Sequence, residues 1–350
     1  MAVGLQKNRN REDGFSLVEL MVGMTLGLML IAGAVSIYLA TKRSYVEVEQ
    51  VSALTESARF AEQIVGESLR HMGFLGEVTA NKVTVSAALA GAVLSGDCTS
   101  PVEAKAYNLN RLGYAGTVAS DGTALGGCIT DGKEGTDVLV IKRAAARPFS
   151  AGSRVPDPNV PASSTIDTPG PLQSGRVYVM TNNVTGILFN GAAPPSITIG
   201  GAVPGGTAWE YQYEVFYIRQ DSNPNFPPKL SRRVLSYNTG TSAMEFVTED
   251  LAEGVEDMQL LFGYDSDGDV DGEVDTYGNA ADVDGNWDKV ESVEVFMLVR
   301  SATPDVQYVD AKSYQLGDVF VPKKEDNFRR LITHASVSLR NMKLMIRGGA

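Results

Sequence analysis

Two histidines, two cysteines and no excess of basic residues leave this 350-residue chain little to do chemistry with. His71 closes a stretch with helical periodicity, and His334 falls on the polar face of an alternating run; neither sits in a motif. No G-x-S-x-G nucleophile site, H-E-x-x-H zinc motif or P-loop occurs. An enzyme is not expected, and no organic cofactor is implied. A formal charge of −12 argues against a general nucleic-acid binder, which needs a basic face. Internal repeats and a low-complexity tail are also missing. Two further absences point to what the chain is built for: Leu20 to Ala40 holds no charged side chain, and Phe15 to Met72 holds no proline.

The apolar run from Phe15 to Ala40 is long enough for a membrane, since 21 uncharged residues at 1.5 Å rise span roughly 30 Å. A secretory signal peptide is the alternative, but its apolar core is shorter and precedes its cleavage site. Lys7, Arg9 and Arg11 lie before the run, and Lys42 and Arg43 after it, so charge sets orientation weakly. The run's only charge is Glu19. An acidic side chain at the centre of a bilayer costs about 2.5–3.5 kcal/mol, so this one needs a role.

Gly14-Phe15-Ser16-Leu17-Val18-Glu19-Leu20 resembles the processing site of the type IV pilin superfamily. The resemblance implies cleavage by prepilin peptidase between Gly14 and Phe15 and N-methylation of Phe15. It also implies an assembly role for Glu19, neutralising a terminal amine within the filament; pairing two such charges offsets the cost of taking them out of water. The leader would stay in the cytoplasm and the bulk of the chain outside. In an exported domain Cys98 and Cys128 are expected as a disulfide rather than as free thiols, closing a loop of about 31 residues worth roughly 3–4 kcal/mol.

Val51, Leu54, Ala58, Ala61, Val65, Leu69 and Met72 recur every three or four residues and predict an amphipathic continuation of the helix, ended by Gly73 and Gly76. Beyond Gly76 the pattern predicts strands at Asp137–Arg143, Gly175–Thr181, Glu210–Gln220, Leu230–Tyr237, Glu256–Tyr264, Val290–Arg300 and Leu331–Arg340. The proline-rich residues 151–175 read as a loop. The expected fold class is α+β, a type IV pilin fold with one long N-terminal helix on an antiparallel β-sheet domain. Its parts would be a leader (1–14), a membrane or filament-core helix (15–40), the amphipathic half (41–75) and a β-rich periplasmic or extracellular domain (76–350).

Arg59-Phe60-Ala61, Leu69-Arg70 through Gly73-Phe74-Leu75-Gly76, Leu251 to Glu256, Trp287 to Ser301, Phe328-Arg329-Arg330 and Val337 to Asn341 resemble the PilW type of minor pilin. That resemblance implies a low-abundance subunit of the type IV pilus, which joins other minor pilins in a complex that primes assembly and supports twitching motility and adhesion. Implied partners are those minor pilins, a tip adhesin, the major pilin, prepilin peptidase and the inner membrane. The protein would reside in the inner membrane before assembly and then in the pilus, at its tip. Ser36 stands in the region where many major pilins carry a kinking proline, which favours a minor subunit. A pseudopilin of a type II secretion system and a membrane-tethered calcium-dependent adhesive domain are the alternatives.

From Asp265 to Asp288 the chain has nine acidic residues and no basic one. Asp267, Asp269 and Asp271, followed by Gly272, match the opening of an EF-hand loop, and Asp275 falls at its ninth position. Gly278 takes the place of the closing glutamate, so a helix-flanked EF-hand is not expected. Asp265, Asp282, Asp284 or Asp288 could complete a Ca²⁺ shell. A solvated acidic loop is the alternative.

Overall fold

The computed structural model describes residues 14–149, 154–156, 165–167, 172–221, 223, 226–267, 273–284 and 287–347. Helix α1 covers Leu17–Arg70. The chain divides into two units, Met1–Ser52 and Ala53–Ala350. In the first, the apolar side chains of the helix, Leu17, Leu20, Met29 and Ile31 among them, are exposed. By length and composition this helix can cross a membrane.

In the second unit, α1 buries Leu54, Ala58, Ala61, Val65, Leu69 and, just past its end, Met72. These residues follow the expected helical spacing, but Val51, expected on the same face, is exposed. After the helix come β1 (Val83–Val85), the short helix α2 (Ala87–Ala90), β2 (Gly113–Thr117) and β3 (Asp137–Pro148). Next are β4 (Arg154–Pro156), β5 (Thr165–Asp167), β6 (Val177–Thr181), β7 (Gly186–Asn190), β8 (Thr207–Arg219) and β9 (Lys229–Asn238). β10 (Ala243–Glu253), β11 (Val255–Tyr264), β12 (Thr276–Gly278) and β13 (Val290–Arg300) follow. The chain closes with β14 (Tyr314–Leu316), β15 (Val319–Val321), β16 (Arg330–Ser338) and helix α3 (Arg340–Arg347).

The strands form two principal sheets where the sequence suggested one. The larger has eight strands in the order β1-β7-β6-β8-β3-β2, with β9 on β8 and β10 on β9. β8 is its hub: one edge pairs with β3, and the other with β6 at its start and β9 at its end. All its pairings are antiparallel except β1 with β7. The smaller sheet has the order β12-β11-β13-β16. β10 passes into β11 through Gly254, so one extended stretch serves both sheets. Gly254 has φ +85°, and a Cβ there would meet the Arg300 carbonyl oxygen at 2.5 Å. The segment 151–175, expected as loop, contains the β4–β5 pair.

Helix and sheets share one core, in which Val65 and Leu69 join Met258, Val293, Val295 and Val337. β3, β6, β8, β11 and β13 are largely buried, so their apolar runs located them in sequence; β10, with Glu245, Thr248, Glu249 and Asp250, escaped because it is an edge with little burial.

Candidate functional site

Ser16 stands immediately before the first helical residue and accepts a hydrogen bond from the Val18 N–H through Oγ at 3.3 Å. Three residues on, Glu19 Oε2 accepts from the Ser16 N–H at 3.2 Å. This Ser-x-x-Glu pair is a capping arrangement that satisfies N–H groups a helix start leaves without partners. Glu19 thus organises the helix start as well as carrying a charge, a role that the Ser16/Glu19 spacing signals in sequence but that was not expected there. Phe15 is exposed just ahead of it. Further along, Ser36 turns its hydroxyl onto the Gly33 carbonyl at 2.9 Å, which satisfies a polar group in an apolar run.

Asp265 to Asp275 span the connection between β11 and β12, and Asp282, Asp284 and Asp288 lie between β12 and β13. Asp265 is buried at the end of β11, where its N–H donates to the Lys289 carbonyl. Asp275 Oδ2 accepts from the Ser266 N–H at 2.8 Å and the Asp267 N–H at 3.1 Å. Those donors hold the Asp275 carboxyl below the usual carboxylate range. Carboxylate oxygens of Asp265, Asp267 and Asp275 lie within 4.8 Å of one another. Three hard oxygen donors suit Ca²⁺. Asp269 and Asp271 lie outside the described residues. Asp282 accepts from the Asn279 N–H, and Asp284 pairs with Arg111 at 2.8 Å, so both are directed to other partners. Behind the loop, Trp287 packs edge-on against Phe262 with centroids 5.0 Å apart.

Cys98 and Cys128 form a disulfide, as expected. Its segment is also held from beneath by polar side chains of the large sheet. Tyr213 donates to the Ala104 carbonyl, Tyr211 to the Ala106 carbonyl, and Lys142 to those of Glu103 and Asn108. Lys142 is wholly buried, and burial pulls its ammonium down to about 7 despite the nearby charges of Asp97 and Glu103. Nothing in the local sequence marks Lys142, since an isolated lysine in a strand reads as an outward residue.

A second unanticipated node explains Phe328-Arg329-Arg330. The buried Arg330 guanidinium reaches Glu256 at 2.6 Å, Asp310 at 2.8 Å and Asp326 at 2.7 Å. Burial opposes ionisation of Glu256, but the hydrogen bond from Arg330 and the Lys133 charge prevail and keep its carboxyl low. Arg300 covers the ring of Phe328 at 4.3 Å, and Arg329 that of Tyr308 at 4.4 Å. These contacts join β11, β16 and the segment between β13 and β16.

Residues 215–341, from within β8 into α3, match the family described as type IV pilus-assembly protein W. That family is PilW. Residues 9–35 match the prokaryotic N-terminal methylation motif, which covers the Gly14–Glu19 element. The PilW match takes in the whole smaller sheet, the acidic connection and every member of the Arg330 node except Lys133. No curated protein matches the chain, and no solved structure does.

Proposed function

We propose that this chain is a minor pilin, processed between Gly14 and Phe15, that joins other minor pilins in the complex priming type IV pilus assembly. The observation that carries this is the presence of the methylation motif and the PilW match on one chain. In this role the helix from Leu17 holds the subunit in the inner membrane and later packs in the filament. Glu19 meets the terminal amine of a neighbour, and the domain from Ala53 onward lies on the periplasmic side and then at the pilus tip. The protein is structural rather than catalytic, and it supports twitching motility and adhesion through the filament.

A chromosomal deletion, complemented in trans, tests the proposal by scoring surface pili, twitching and secretion of exoenzymes. Loss of pili and twitching with normal secretion is expected. Normal twitching with lost secretion would replace the proposal with a type II pseudopilin.

A second role is supported by the convergence of Asp265, Asp267 and Asp275. The β11–β12 connection would bind Ca²⁺ outside the cell and stiffen as their mutual repulsion is neutralised.

A further inference from the structure

β16 is the outer strand of the smaller sheet and pairs with β13 alone. Its nine residues, Arg330–Ser338, pair with Arg300 back to Ser292 without a register shift. Exposed edges are normally blunted by charges, proline or bulges. β10 shows such protection: Glu249 pairs with Arg232, Asp250 with Arg219 and Lys229, and its register shifts between Asp250 and Ala252. β16 has none of these from Leu331 to Ser338, where His334 is the one titratable residue; its ring stacks on Phe296 and meets Glu294. Among the described residues no backbone hydrogen bond reaches the far edge of β16.

Beside this strand runs a groove of about 280 Å³ lined by Arg59, Glu62, Gln63, Gly66, Arg70 and Ala335. Glu62 is held by the Thr333 hydroxyl. Arg59 and Arg70 are exposed and have no acidic partner among the described residues. Gly66, at the floor of the groove, is buried beneath Arg70 and Val337 of the same chain.

We propose that the groove between α1 and β16 receives an extended, acidic segment of a different subunit, which pairs with β16 and places carboxylates on Arg59 and Arg70. A second copy of this chain is disfavoured as occupant, because two-fold pairing of β16 with itself would bring two arginine stripes together. The inference deepens the minor-pilin proposal and rests on it only for the source of the segment.

The test uses full-length protein in detergent and a fluorescent heptapeptide alternating glutamate and valine, with a lysine–valine peptide as control. Binding is followed by anisotropy and by amide exchange. The acidic peptide is expected to bind at least tenfold more tightly than the control and to slow exchange at 331–338 but not at 244–252. R59E with R70E should reverse the preference between peptides. Equal affinity for both peptides, protection absent from 331–338, or binding unchanged in R59E/R70E would overturn the proposal. Sedimentation as a dimer through β16 would overturn it in favour of a second copy. These outcomes stand whatever the deletion strain shows, so failure here is distinguishable from failure of the minor-pilin role.

Discussion

Glu19 Oε2 accepts the Ser16 N–H at 3.2 Å, within the segment that matches the N-terminal methylation motif. The carboxylate expected to serve the filament is therefore already engaged at its own helix start. Two roles of one side chain can be separated, because an amide can still accept the N–H while a methyl cannot.

For Glu19, we expect Glu19→Gln to keep the helix start but lose the charge, and Glu19→Ala to lose both. Removing a cap of this kind costs about 1 kcal/mol of helix stability. Both variants should accumulate in the membrane in processed form and be absent from sheared pili. Amide exchange at residues 16–19 should be faster only in Glu19→Ala. Normal recovery of Glu19→Gln in pili would remove the charge from the assembly step.

Arg330 neutralises a buried set of carboxylates, so Arg330→Leu should strand Glu256 and Asp310. Breaking a buried pair by removing one partner costs about 3–5 kcal/mol. The melting temperature of the domain should fall by about 5–15 °C on the usual size scaling. A shift below about 2 °C in calorimetry would show that the node contributes little to the fold.

Asp137 joins the two sheets by accepting the Leu260 N–H at 2.9 Å and the Thr117 hydroxyl at 3.0 Å. Burial pushes its carboxyl up to about 6, against the pull of those donors. The folded state then binds its proton more tightly than the unfolded chain does. Its stabilising contribution is complete below the ordinary carboxylate value and is lost as pH rises through about 6. Between pH 4 and 7, Asp137→Asn should therefore lose less melting temperature on raising pH than the wild type does. Parallel pH profiles for the two proteins would contradict this.

Calcium should raise the melting temperature of the wild type relative to chelator, and the gain should grow with calcium concentration as binding to the folded state requires. Asp267→Asn with Asp275→Asn should abolish the gain while leaving the curve in chelator nearly unchanged, since asparagine can still accept the Ser266 N–H. Identical wild-type curves with and without calcium would end this role.

Much of the architecture was legible because its signals are local. Periodicity of 3.6 placed Leu54, Ala58, Ala61, Val65 and Leu69 on one face, and a mostly apolar run placed Val290–Arg300 at its observed bounds. Strands of three residues, such as β1, β14 and β15, escaped because so short a stretch has no period to read. Lys142 and Arg330 escaped for a different reason. Their burial depends on carbonyls and carboxylates supplied by segments remote in sequence.

The sequence by itself determined the methylation motif, the membrane-length helix, the disulfide pair and the α+β class. Each follows from residues close together or from a composition with few alternatives. Only the tertiary structure decided that β10 and β11 divide one extended stretch between two sheets, and that Asp265, rather than Asp282 or Asp284, joins Asp267 and Asp275. It also decided that β16 is left as an unguarded edge beside Gly66. Those outcomes depend on which strands pair. That is set by the summed burial of a shared core and not by any local run of residues.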